Sequence, residues 1–308
     1  MKNVTTSLLL AFAAVLISWN ATAAFAQKPI DIAKPDDTSD MHSSWELPPI
    51  DESMTVKQCI AGAKKGKADA QIELALRYFD GKGVKKDSEK ALDYALKSAM
   101  QGNGKALYFL ACIEVNFFKS ELGYSYVKLA AEKGYVLAQF QMGSIKFTQG
   151  DYAQSYQWHL KAANQGYLQS CYECGLYLLM GDGVEQNLEE AVRWFRVAAE
   201  GGHMRAQYEL GICYANGEGV EQDYKESAKW IAKSAAQNHP RSLFLIGMYY
   251  IKGIGVAPDY QKGINYVIKA SVHGSKDANE FLKQLQNEKN EKEDFVPVPN
   301  EQEQKAFG

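Results

Sequence analysis

The chain lacks the features that would place it in a specialised class. Its 308 residues contain only eight prolines and five cysteines, and the formal net charge is −3. Charged residues make up an ordinary 23% and apolar residues 46%, which excludes collagen-like and wholly disordered chains. Five cysteines are too few for a disulfide-built scaffold. The slightly acidic balance gives no electrostatic reason to expect nucleic acid. After the first 26 residues no apolar run approaches ~18 residues, so no membrane span is expected beyond them. Catalytic motifs are also missing: there is no HExxH, no GxSxG and no Walker loop. One S-x-x-K, Ser125 to Lys128, has neither an S-D-N nor a K-T-G to accompany it. A cell-wall or β-lactam hydrolase is therefore the weakest functional reading, to be tested by loss of turnover in Ser125→Ala. Neither a catalytic residue nor a cofactor is expected.

The first 26 residues read as an export signal. Lys2 precedes an apolar run from Leu8 to Ile17, and Ala24, Phe25, Ala26 form a small-x-small cleavage pattern, with Ala21, Thr22, Ala23 as a second one. An uncleaved anchor is the alternative, because Leu8 to Ala26 carries no charge. Residues 27–53 hold Pro29, Pro35, Pro48 and Pro49 beside Asp36, Asp37 and Asp40, and read as a flexible linker. Residues 287–308 alternate Glu, Lys, Gln and Asn around Phe295, Pro297 and Pro299, and read as a disordered tail, or else a docking peptide centred on Phe295.

Between these ends the sequence repeats. Segments starting at Ala70, Ala106, Ala138, Ser170, Ala206 and Ser242 are spaced by 36, 32, 32, 36 and 36 residues. Four positions after each start stands Leu74, Leu110, Met142, Cys174, Leu210 or Ile246, followed by the small Ala75, Ala111, Gly143, Gly175, Gly211 or Gly247. A second column is aromatic throughout: Tyr94, Tyr126, Trp158, Trp194, Trp230 and Tyr266. Each unit predicts two antiparallel helices, the small residue admitting close approach and the aromatic column facing inwards. Four units join their helices by Gly-x-Gly-Val, at 81–84, 181–184, 217–220 and 253–256. Asp87, Asn187, Asp223 and Asp259 follow as helix caps, with Glu190 and Glu226 placed to complete capping boxes. One pair cannot bury its own apolar face, so pairs must stack.

These columns resemble the Sel-1-like repeats, relatives of the tetratricopeptide repeat, over roughly 54–286. The last full unit carries the pattern in Ser242, Ile246, Gly247, Tyr250, Gly253, Gly255, Val256, Asp259, Lys262, Tyr266, Lys269 and Ala270. Units two and three depart from it, having lost four loop residues and the Gly-x-Gly-Val element. The resemblance implies an all-α, right-handed superhelical solenoid of about six helix pairs. Lone helices at Thr55 to Lys65 and Ala278 to Gln286 are expected to cap its ends. It also implies a groove that binds other proteins. By analogy, first-helix positions +2 and +9 face that groove: Tyr108, Phe140, Tyr172, Tyr208 and Phe244, then Phe79, Phe147 and Ile251. The alternative is that the +2 aromatics support packing. Phe109 and Leu245 break a column that carries Glu73, Gln141, Glu173 and Glu209 elsewhere, and Phe117 with Phe118 lies in a shortened loop. If exposed, these mark an interface; otherwise they fill surface left by the missing loop.

Cysteine and histidine leave two readings each. Cys171 and Cys174 form a C-x-x-C at a helix start, where backbone amides would lower the first thiol's pKa, yet Cys174 also occupies an apolar column. Cys59, Cys112 and Cys213 show no repeating pairing. His203 and His239 lie 36 residues apart, too far to share a metal ion. His159 replaces an apolar residue and is either a hydrogen-bonded core group or a pH-sensitive one. The function expected is an exported, periplasmic interaction scaffold that binds, regulates or inhibits an envelope protein, an immunity protein being one version. The alternative is a secreted host-interaction factor. The partner is expected to be protein, with neither nucleic acid nor a membrane span after cleavage.

Overall fold

The structure, a computed structural model, describes residues 45–118 and 122–294, and every regular element among them is helical. Residues 1–44, which hold the expected export signal and most of the expected linker, and residues 295–308 lie outside the described residues. Fourteen α-helices are described: α1 (Val56–Lys64), α2 (Ala68–Asp80), α3 (Ser88–Met100), α4 (Gly104–Ile113), α5 (Leu122–Glu132), α6 (Val136–Thr148) and α7 (Tyr152–Ala163), followed by α8 (Leu168–Met180), α9 (Leu188–Glu200), α10 (Met204–Asn216), α11 (Tyr224–Ala236), α12 (Pro240–Lys252), α13 (Tyr260–Val272) and α14 (Lys276–Asp294). The chain divides into two compact units, one ending at Thr148 after α6 and one starting at Gln149 before α7. In each unit every helix packs on its neighbours in sequence, as a helical solenoid requires. The division falls inside the third repeat, one of the two that lack the Gly-x-Gly-Val loop.

That loop is where local sequence becomes tertiary structure. Gly217 caps α10 in the left-handed conformation at φ 73°, its N–H reaching the Cys213 carbonyl at 2.9 Å. The loop closes when Asp223 N–H donates to the Tyr214 carbonyl at 2.9 Å, and the Asp223 carboxylate accepts from the amides of Lys225 and Glu226. Asp87, Asn187 and Asp259 cap α3, α9 and α13 in the same way. The predicted capping boxes differ in detail. Glu226 turns to Lys229, whose Nζ lies 2.9 Å away, whereas a complete box forms at α1 between Thr55 and Gln58. The second glycine of the loop does the joining. A Cβ on Gly219 would lie 2.2 Å from the Leu188 carbonyl oxygen, and one on Gly255 would lie 2.0 Å from that of Tyr224. Each loop thus rests on the first turn of the preceding repeat's second helix.

The small column also works by close approach: a Cβ on Gly175 would stand 2.4 Å from the Phe195 ring, and one on Gly211 2.6 Å from Ile231. The aromatic column is less inward than expected. Tyr126 and Trp230 are buried, but Tyr94, Trp158, Trp194 and Tyr266 are half-buried. The fully buried column is the next residue, Ala95, Val127, His159, Phe195, Ile231 and Val267. One residue is 100° around the helix, which moves the aromatic rings to the rim of the core. There Tyr94 stacks on Tyr78 and Tyr266 on Tyr250, at 6.0 and 5.8 Å. Lys161 and Lys233, each one turn on, lie over Trp158 and Trp230 at 3.9 and 3.8 Å.

Two boundaries differ from the sequence reading. The last helix runs to Asp294 rather than Gln286, because Glu, Lys and Gln are good helix formers and no proline intervenes before Pro297. Nor are residues 45–53 a free linker, since they bond to α2 and to the end of the α4 repeat. In the second repeat α4 continues into a π-helical turn, Glu114–Phe118. The side chains of Phe117 and Phe118 lie outside the described residues.

Candidate interaction surface

Positions +2, +6 and +9 of a first helix are i, i+4 and i+7, and so share one stripe. Structure places the expected partner-binding residues on or beside it, and none of them is fully exposed. Tyr108, Phe109 and Tyr172 are buried, and Phe79, Phe140, Phe147, Tyr208, Phe244, Leu245 and Ile251 are half-buried. Phe109, at 1% exposure, packs edge-on against Phe79 with centroids 5.5 Å apart. It is therefore packing between repeats, not an exposed interface residue. The +2 rings behave alike: Tyr108 meets Tyr135, Tyr172 meets His203, and Tyr208 meets His239, at 5.3, 4.8 and 5.1 Å. Each ring is taken up by the start of the following repeat. Leu245 and Phe244 pack on the core of α11 to α14, Phe244 facing Phe281.

The residues that differ between the first two repeats and the last three are those at +6. In the second unit Leu176, Ile212 and Met248 are half-buried, as are Leu179 and Ile251 at +9, with Met248 and Ile251 also packing on the core of α11 to α14. In the first two repeats Leu76 and Cys112 hold the +6 position and are buried, at 3% and 0%, while the third has the polar, half-buried Ser144. Residues 45–54 run along this side of α2 and α4. The Asp51 N–H donates to Glu73 Oε2 at 2.8 Å, and Arg77 Nη2 donates to the carbonyls of Asp51 and Met54 at 3.1 and 2.6 Å. Asn116 Nδ2 donates to the Trp45 carbonyl at 2.8 Å, and Cys112 Sγ to that of Glu46 at 3.4 Å. Pro48, between them, is buried. Arg77 had a signal in the sequence: its column otherwise reads Ile113, Ile145, Tyr177, Cys213 and Tyr249.

The reactive-looking side chains are structural. All five cysteines are buried free thiols, and burial raises Cys171 instead of lowering it, overriding the helix-start amides. Desolvation pushes Cys112 and Cys213 up to about 12. Cys171 Sγ donates to the Ala163 carbonyl eight residues back, as Gln139 and Gln207 do to Ala131 and Ala199 at the same repeat position. His203 caps α10 through Nδ1, which accepts from Ala206 N–H, while Nε2 meets Gln169. Among the described residues no group of three or more His, Cys, Asp or Glu is arranged to hold a metal ion.

A covarying pair inside the chain supports the register. Ser155 meets Tyr177 at 2.6 Å and Ser227 meets Tyr249 at 3.0 Å, both buried, whereas the repeat between them has Ala191 and Cys213. Tyr249→Phe leaves Ser227 without that partner and is expected to cost about 1–2 kcal/mol in urea unfolding. The same change made with Ser227→Ala should recover most of the loss.

Comparison with known proteins agrees with this geometry. The family model described as the Sel1 repeat matches residues 68–103, 136–167, 168–203, 205–239 and 240–275, leaving out the second repeat with its π-helical turn. A protective antigen of uropathogenic Escherichia coli with this repeat fold is 29% identical over 74% of the chain, with a TM-score of 0.66. The present chain spans about half of that protein, 51%. A Sel1 repeat protein of Oxalobacter formigenes is 30% identical over 74% of this chain and 69% of its own, with a TM-score of 0.57. No curated protein matches the chain at a significant level. With the repeat model covering more than half of the residues, and each matched repeat coinciding with a helix pair, four of the five joined by the glycine loop, the chain belongs to the Sel1 repeat family.

Proposed function

We propose that the protein is an exported, non-catalytic interaction module that binds an envelope protein along the first-helix stripe of its repeats. The observation that carries this reading is the half-buried apolar row Leu176, Leu179, Ile212, Met248 and Ile251, which keeps part of its surface in solvent and is set on a helical frame. Such a row loses apolar surface to water when a partner covers it, and the helices beneath hold it preorganised. Membership of a repeat family and the high thiol pKa values support binding over turnover. Export rests on the Lys2 to Ala26 pattern alone, and no helix among the described residues is long and apolar enough to cross a membrane.

Affinity capture from envelope extract tests the surface. Native protein is expected to retain a partner at near-equal stoichiometry, and the Leu176→Asp, Ile212→Asp double variant to lose it while keeping native helix content. Equal capture by a folded variant would move the site off this row. Cell fractionation and N-terminal sequencing test export, with Gln27 the expected first residue. Cytoplasmic protein retaining Met1 would reject it.

A further inference from the structure

The chain's own residues 45–54 indicate the kind of ligand the first two repeats take. The segment is held mainly through its backbone: Glu73, Arg77, Cys112 and Asn116 between them contact one amide and four carbonyls. Such contacts fix the path of an extended chain. Side-chain selection is left to the buried Pro48 and to charge. Glu52 pairs with Lys82, Glu73 is tied in place by Lys105, and the Asp51 carboxylate folds back on the amide and hydroxyl of Ser53. Glu73 and Arg77 are at least nine-tenths buried, and Arg77 Nε has no hydrogen-bond partner. The segment therefore fills the site without saturating its most expensive donor.

We propose that this face of the first two repeats is a peptide-binding site, filled in the free protein by Trp45–Met54, and that its partner is an extended acidic peptide with a central proline that displaces this segment. The inference rests on the reading that the protein binds partners through its first-helix stripe, and it names the partner chemistry. The tether raises the demand on a competitor. The internal segment's effective concentration is about millimolar, so an external peptide at about micromolar concentration has to bind the site roughly a thousandfold more tightly than the segment does, and a carboxylate reaching Arg77 Nε contributes to that difference.

The test uses the full chain and a synthetic peptide of residues 45–54. In the native protein the Asp51 amide is expected to exchange with solvent at least tenfold more slowly than an open amide. Pro48→Asp places a charge in the buried seat and should abolish that protection. The same variant should bind the added peptide at least tenfold more tightly than native protein does, because the tethered competitor has left. Asp51→Pro, which removes the N–H given to Glu73, serves as a second release variant if Pro48→Asp disturbs the helices. An unprotected Asp51 amide in native protein would overturn the proposal. So would a folded release variant that fails to bind the peptide. An envelope partner captured equally by native and release variants would refute this site while leaving the broader binding function standing.

Discussion

Gly219→Ala and Gly255→Ala are each expected to lower stability by about 3 kcal/mol. Two costs combine. At φ 68° and 67° an L-residue is strained by about 1–2 kcal/mol. The new Cβ would then stand 2.2 or 2.0 Å from a backbone carbonyl oxygen of the preceding repeat, which cannot swing aside as a side chain does. Gly166→Ala separates the two contributions, since Gly166 has φ 83° but nothing within 4 Å of its Cβ. It should lose only the backbone share, about 1 kcal/mol. Urea unfolding of the three variants checks this. If Gly166→Ala costs as much as Gly255→Ala, the loop does not lock one repeat to the next.

The second large effect is acid sensitivity centred on His159. This residue is 3% exposed, and burial pushes its pKa down to about 4 from 6.5. Its Nδ1 lies 3.4 Å from the Ser170 hydroxyl, and the Tyr177 ring is 6.1 Å away. In the unfolded chain the imidazole takes a proton near its ordinary pKa, so between pH 6.5 and 4 the unfolded state holds the extra proton. Stability is then full above about pH 6.5 and falls with pH through that window, by about 3 kcal/mol for this group. His159→Phe, which copies Phe195 of the next repeat, should flatten the acid limb by that amount. In thermal unfolding at pH 4.5 the variant should melt higher relative to native protein than it does at pH 7.5, by several degrees. His239, also pushed down to about 4 by burial and by Arg205 and Arg241, stays in both proteins, so the difference isolates His159. Parallel pH curves for the two proteins would reject the assignment.

Much of the fold was legible because its determinants are local and recur. Helix caps such as Asp223 and helix stops such as Gly217 act within one turn, and a 36-residue period repeats them with the same neighbours each time. The departures were equally visible: the missing loops of the second and third repeats coincide with a π-helical turn and with the division between the two units. The binding surface was less legible. A helical period gives the angle of a side chain around its own helix but not what the next repeat lays over it. Tyr108, Phe109 and Tyr172 therefore read as groove residues and proved to be packing, while Leu176, Ile212 and Met248, at the intervening i+4 position, keep part of their surface in solvent.

By itself the sequence determined the helical class, the repeat boundaries, the glycine loops and the family, since each depends on interactions within one repeat or on a pattern copied between repeats. Only the tertiary structure decided which aromatics are accessible, that the C-x-x-C thiols are raised by burial, and that Trp45–Met54 lies against Glu73, Arg77, Cys112 and Asn116. The physical reason is that exposure, desolvation and main-chain contacts of an extended segment depend on what the fold brings from elsewhere in the chain, up to 71 residues away in the case of Asn116. No local period encodes that distance.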